Sequence, residues 1–189
     1  MRIIAGAWRG RLLKSTTGPG LRPAMGKVRE ALFSMIEARD GLGPETRVLD
    51  LFAGGGSLGF EAMSRGAGRV DFIESAPYAV KIIRANAEAL GLEADRCTVR
   101  QEDVLKALRK RAHAPYDLIF IDPPYQLSVL DTVLKALYEN RYLAPNALVN
   151  AEVEAHQPFD PSRVPSGLVP EADRAYGQTR VLLWTANPT

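Results

Sequence analysis

Among the residues able to do chemistry, Asp122-Pro123-Pro124-Tyr125 stands out. It follows the apolar run Asp117-Leu118-Ile119-Phe120-Ile121, which predicts a strand ending at the carboxyl edge of a sheet, where open α/β folds bind ligands. Two consecutive prolines fix the backbone and remove two N–H donors, so the neighbouring carbonyls become committed acceptors. Acceptors are what the exocyclic amine of a nucleic-acid base requires, because its lone pair is delocalised into the ring. Hydrogen bonds from its two N–H groups, to Asp122 and to the Pro123 carbonyl, favour a pyramidal, nucleophilic nitrogen, while Tyr125 stacks on the base. Catalysis would come chiefly from holding that nitrogen in line with a methyl donor. We read Asp122, Pro123, Pro124 and Tyr125 as catalytic; a proline-rich turn without a ligand is the plainer alternative.

A second constellation begins at Val48-Leu49-Asp50-Leu51-Phe52 and runs through Ala53-Gly54-Gly55-Gly56-Ser57-Leu58-Gly59. Gly54, Gly56 and Gly59 fit the spacing of a nucleotide-binding strand-to-helix turn, which lets a ligand lie against bare backbone. Glu74, about 20 residues on, ends the next strand, where a carboxylate can bind ribose hydroxyls. By itself this pattern also suits a dinucleotide. Asp50 separates the two readings, since a carboxylate beside the loop repels a pyrophosphate but suits the ammonium of an amino acid. S-adenosylmethionine carries that ammonium and no phosphate. Asp103, after the third strand, can accept from the adenine amine or simply cap a helix. The cofactor-binding candidates are Asp50, Phe52, Ala53, Gly54, Gly56, Leu58, Gly59, Glu74, Asp103 and Val104.

Short apolar runs alternating with amphipathic segments must position these loops. Strands are expected at Arg47–Phe52, Arg69–Glu74, Cys97–Gln101, Leu118–Ile121, Ala147–Glu152 and Thr179–Thr185, with a weaker one at Val164–Val169. Helices are expected at 23–38, 57–65, 76–90, 103–111 and 128–139. The fold class is therefore α/β, a doubly wound, mainly parallel seven-stranded Rossmann-like sheet. A small hairpin, with Ile3-Ile4 and Leu12-Leu13 as its strands, and the first helix precede it, dividing the chain into an extension of residues 1–44 and a body of 45–189.

The chain has 189 residues, 46% hydrophobic and 24% charged, enough for one globular core. No run approaches the roughly 18 apolar residues of a membrane span, and the N-terminus lacks a signal-peptide core, so we expect a cytoplasmic protein. One cysteine, Cys97, and two distant histidines, His113 and His156, leave no cysteine/histidine metal site, and no metal is expected. The net charge of +2 conceals an asymmetry: residues 1–30 carry seven basic side chains against one acid, whereas the rest carry 17 against 21. Such a basic arm suits a polyanion, and Arg9, Arg11, Arg22, Lys27 and Arg29 are the RNA-contact candidates. Trp8 could stack on a base, but a hairpin tryptophan is more often packed; Glu61 is read as either steadying the glycine loop or facing solvent, and Cys97, His113, His156 and Trp184 as structural.

Over nearly its whole length the chain resembles the bacterial 16S ribosomal RNA guanine-N2 methyltransferase family of the class I S-adenosylmethionine-dependent fold. The resemblance rests on Arg2-Ile3-Ile4-Ala5-Gly6 with Trp8-Arg9-Gly10-Arg11, Leu21-Arg22-Pro23 with Val28-Arg29-Glu30-Ala31-Leu32-Phe33, and the glycine loop continuing to Phe60-Glu61-Ala62. Ser64-Arg65-Gly66-Ala67, the Asp122 loop and Tyr176-Gly177 complete it. It implies methyl transfer from S-adenosylmethionine, leaving S-adenosylhomocysteine, to a guanine amine of 16S ribosomal RNA in the small subunit or its assembly intermediate, by a monomer. After Arg22-Pro23 the family usually has threonine and then, two residues later, an acid; here stand Ala24, Met25 and Gly26. A DNA adenine-N6 methyltransferase would share both loops but normally needs an extra target-recognition segment. A protein-glutamine methyltransferase usually has asparagine in place of Asp122. A non-catalytic RNA-binding assembly factor and a nucleotide-dependent oxidoreductase both leave Asp122–Tyr125 unexplained.

Overall fold

Val48, Leu49 and Leu51 are apolar toward both sides of the chain, the pattern of a strand covered by helices on both faces. The computed structural model, which describes residues 1–16, 23–39, 41–124 and 129–187, places this strand inside a seven-stranded sheet of order β3-β2-β1-β4-β5-β7-β6. The strands are β1 Arg47–Leu51, β2 Arg69–Glu74, β3 Cys97–Gln101, β4 Tyr116–Ile121, β5 Leu143–Glu154, β6 Leu168–Tyr176 and β7 Thr179–Ala186. The helices are α1 Pro23–Glu37, α2 Ser57–Ser64, α3 Pro77–Ala89, α4 Val104–Ala107 and α5 Leu130–Glu139. Strands β1 to β5 run parallel, and β7 is antiparallel to both β5 and β6. Strand order reverses between β1 and β4, so a crevice opens at their carboxyl ends, between the two loops singled out from the sequence.

Alternate residues of the central strands feed two cores. On one face Val48, Phe72, Leu118, Phe120 and Leu183 pack with Leu32, Phe33 and Ile36 of α1 and with Phe60 and Met63 of α2. On the other, Leu49, Leu51, Ile119, Ile121 and Val149 pack with Val104 and Ala107 of α4 and with Val133, Leu134 and Leu137 of α5. Phe33 and Phe120 meet at 5.7 Å between ring centroids, and truncating such a fully buried ring costs about 3–5 kcal/mol.

The expected N-terminal hairpin is reduced to one antiparallel bridge, Arg2 to Leu12, prolonged by bonds from Ile3 N–H to the Arg11 carbonyl and from Gly10 N–H to the Ile3 carbonyl. Ile3 and Leu13 are buried in the same core as β1 and β4, so the first residues pack as part of the sheet's covering layer.

Three elements differ from expectation. The weak strand expected at Val164–Val169 is displaced: a single 3-10 turn occupies Pro161–Arg163, and β6 runs Leu168–Tyr176. Pro170 fits within it because β6 is an edge strand, where a missing N–H costs no ladder bond. The helix expected over 103–111 stops at Ala107, after which Arg109 and Lys110 donate only to carbonyls three residues back. Strand β5 also starts early, at Leu143. It slips register before Leu148, around Asn146 at a left-handed φ of 62°.

Candidate active site

The glycine loop is built by reversing the chain sharply at the end of β1. Phe52 takes a φ of 57°, unusual for a side chain with a Cβ, and Gly54 and Gly56 follow at 54° and 79°. Backbone strain of this kind costs on the order of 1–3 kcal/mol and concentrates where a ligand must be approached. Gly59 has a packing reason instead: a Cβ there would stand 2.4 Å from the Phe72 ring, so glycine lets α2 lie directly against β2. Beside Gly54 such a Cβ would meet only the Phe52 carbonyl and the Thr16 hydroxyl, both at 4.0 Å, an ordinary van der Waals contact.

Two carboxylates clamp this loop. Asp50 accepts from the Gly59 amide at 2.9 Å, and Glu74 accepts from Gly54 and Ala76, both at 2.8 Å. Asp50 is only 2% exposed. Burial outweighs its Gly59 bond and, with the nearby charges of Asp122 and Glu74, pushes its carboxyl well above the usual range.

Opposite the loop, β4 delivers Asp122, whose amide donates to the Leu51 carbonyl at 3.4 Å. Phe52, Ala53, Gly54, Gly55, Ser57, Leu58 and Asp122 line one cleft of about 160 Å³. Asp122 is reachable from that cleft, yet protein replaces enough of its hydration to push its carboxyl up to about 6. Pro123 is buried and Pro124 exposed, while Tyr125 lies outside the described residues. Asp50, Gly56, Gly59 and Glu74 stand behind the loop as its scaffold. Asp103 sits apart at the start of α4, accepting from the Lys106 amide at 2.9 Å as the helix cap, with Val104 buried beneath.

Other cleft residues were not singled out in the sequence. Glu152, near the end of β5, joins Asp122 on the wall, and burial together with the Asp122 charge raises its carboxyl to about 8 against the opposing pull of Arg29. The expected strand did end at Glu152, so a carboxylate closing an apolar run was the available signal. Lys14, Ser15 and Thr16 form a strap over the loop. Asn86 holds it, accepting from Lys14 N–H at 2.9 Å and donating to the carbonyls of Lys14 and Gly55, and Tyr78 donates to the Thr16 carbonyl at 2.6 Å. No local pattern links these residues, which are up to 72 positions apart.

Of the RNA candidates, Arg9, Arg11 and Lys27 are exposed, and Arg22 lies outside the described residues. Arg29 corrects the expectation of a surface contact: it is 8% exposed, donates to the Arg2 carbonyl at 2.7 Å and faces Glu61 at 3.7 Å. It braces the hairpin and lines the cleft. Glu61, left open by the sequence, is 1% exposed and accepts from the Ile4 and Ala5 amides and from Arg65. Trp8 is packed against the core, as read.

With this geometry in view, residues 1–185 match the family model described as Conserved hypothetical protein 95. The chain belongs to that family. It is 36% identical over 160 residues to Ribosomal RNA small subunit methyltransferase D of Haemophilus influenzae, covering 84% of this chain and 81% of the relative. It is 34% identical over 154 residues to the protein of the same name in Escherichia coli K12, covering 82% and 75%. The solved Escherichia coli protein yhhF superposes with a TM-score of 0.85 at 31% identity, covering 100% and 99% of the two chains. More distant structures that share the fold alone are described as SAM-dependent or as complexed with SAH. The family member thus has the α/β methyltransferase fold expected from its sequence.

The residues present fit S-adenosylmethionine. The glycine loop offers bare backbone to the cleft, with the carboxylates Asp50 and Glu74 fixed behind it, and carries no Lys or Arg between Ala53 and Gly59. Asp50, Glu74 and Asp103 lie outside the lining of that cleft, their carboxylates engaged with the Gly59, Gly54 and Lys106 amides, so the contacts expected of them to the ammonium, ribose and adenine are not carried by this geometry.

Proposed function

We propose that this family member methylates the exocyclic N2 amine of a guanine in 16S ribosomal RNA. The observation carrying the reading is that Asp122 stands across one narrow cleft from the glycine loop, so a base amine held by one faces a methyl donor held by the other. The names of its relatives, small-subunit ribosomal RNA methyltransferases, support the substrate class.

Bound S-adenosylmethionine supplies an electrophilic methyl on a sulfonium. Asp122 accepts one N–H of the amine and the Pro123 carbonyl the other, which turns the nitrogen lone pair out of the ring and toward the loop. Asp122 would then be the acceptor for the proton that the amine sheds on methylation. The remaining rate enhancement comes from alignment, since both reactants are fixed by rigid strand ends. Tyr125 is proposed to stack on the base, and Arg9, Arg11, Arg22 and Lys27 to hold phosphates outside the cleft.

We further propose that residues 1–44 act as the RNA-contacting extension of the 45–189 catalytic body, and that the enzyme works as a cytoplasmic monomer on the subunit or its assembly intermediate. Labelled S-adenosylmethionine supplied with small subunits, naked ribosomal RNA and duplex DNA tests the reading. Label recovered as N2-methylguanosine from 16S RNA is the expected outcome; label in adenine or in protein overturns it.

A further inference from the structure

Glu152 is the cleft residue for which the chemistry above has no use. In the sheet, Phe120 is paired with Asn150 and Ile121 with Ala151, so one step further Asp122, just past the end of β4, comes beside Glu152, still within β5. Neighbouring strands are about 4.8 Å apart, and equal steps along them keep both side chains on the same face of the sheet. Both line the same cleft. Asp122 accepts no hydrogen bond among the described residues, and Glu152 there makes neither a hydrogen bond nor an ion pair. Arg29, the nearby cation, spends its donated bond on the Arg2 carbonyl, and its buried Nε has no hydrogen-bond partner. Two adjacent acceptors turned into a cleft without donors of their own call for a ligand that brings two adjacent donors.

Three bases carry an exocyclic amine. In adenine the ring nitrogen beside N6 is N1, an acceptor, and in cytosine the one beside N4 is N3, also an acceptor. Only guanine has an N–H, at N1, next to its amine. We propose that Glu152 selects guanine by accepting its N1–H while Asp122 accepts from the neighbouring N2 amine. This rests on the base-amine reading of the cleft and adds to it a reason, internal to this chain, for guanine over the other two bases. An adenine or cytosine seated the same way sets a ring lone pair against the Glu152 carboxylate, a repulsive contact that favours its release. The raised titration of Glu152 beside Asp122 accords with a pair that lacks donors until the base arrives.

The test uses small subunits reconstituted with 2-aminopurine at the methylated guanine. This base keeps the 2-amine but has a bare acceptor at N1. Above the titration of Glu152, the wild-type enzyme is expected to prefer guanine by roughly 10- to 100-fold in kcat/KM. Glu152→Ala is expected to slow on guanine to the 2-aminopurine rate, bringing the ratio toward one. Glu152→Gln is expected to bring it down from the other side, by gaining activity on 2-aminopurine, because the amide can turn its N–H₂ toward N1. A gain of that kind cannot come from a misfolded variant. If Glu152→Ala and Glu152→Gln keep the wild-type ratio, the assignment of Glu152 is overturned while the guanine reading stands. If the wild-type enzyme labels no guanine, the proposed function itself fails.

Discussion

The carboxylate of Glu61 holds the backbone of Ile4, accepting its N–H at 2.9 Å across 57 positions of sequence. Its other oxygen takes the Ala5 amide and the Arg65 guanidinium, so one side chain on α2 fastens the N-terminal arm to the helix that follows the glycine loop. Glu61→Ala leaves two amides and the Arg65 guanidinium without their acceptor and Arg29 without its counter-charge, and is expected to cost about 3–5 kcal/mol in denaturant unfolding. Hydrogen exchange checks the cause: Ile4 and Ala5 amides must lose protection before β1 does.

Asp122→Ala removes the acceptor for the base amine but touches no part of the glycine loop. Methyl transfer is expected to fall roughly 10²–10⁴-fold while S-adenosylmethionine affinity, measured by calorimetry, stays within a factor of about two. Equal loss of both would move Asp122 into the cofactor site.

Asp122 must be ionised to accept, and its carboxyl is raised to about 6. Protonation on acidification disables it, so kcat/KM is expected to fall about tenfold per pH unit below that point. An acid limb near 4, the ordinary carboxylate range, would show that burial does not govern the group.

Glu152 holds its proton up to about 8 when folded, whereas the unfolded chain releases it near 4.3. Between those values the folded state binds the extra proton, so this group's contribution to stability declines as pH rises through the window. Glu152→Gln cannot ionise and is expected to raise Tm more at pH 8 than at pH 5, by roughly 2–4 °C for each 1 kcal/mol regained. An identical shift at both pH values would argue against that linkage.

Neutralising Arg9 and Arg11 together is expected to weaken RNA binding and to lower the slope of log K against log salt by about one for each phosphate no longer neutralised. Catalysis at saturating RNA remains. An unchanged slope would take these two exposed residues off the RNA path.

The two loops could be read before folding because each is a contiguous string whose chemistry is local: glycines that relax a turn, prolines that delete donors. The sheet followed from apolar runs, with β2 and β3 matching at both ends. Where prolines crowd together, from Pro158 to Pro170, periodicity failed, because an edge strand tolerates a residue that an interior strand excludes. Residues joined across the sheet were hidden for another reason. Glu152 meets Asp122 only through the β4–β5 register, and Asn86 meets Lys14 only after α3 folds against the arm. Arg29 looked like surface charge because charge along the chain does not reveal which side of α1 faces the core.

Asn86 grips the Lys14 strap with the same amide that binds Gly55, so the arm proposed to contact RNA and the loop proposed to hold the methyl donor share one mechanical joint. A ligand that steadies either side of such a joint lowers the ordering cost for the other. By thermodynamic reciprocity, whatever factor the methyl donor gains from bound RNA, RNA gains equally from the methyl donor.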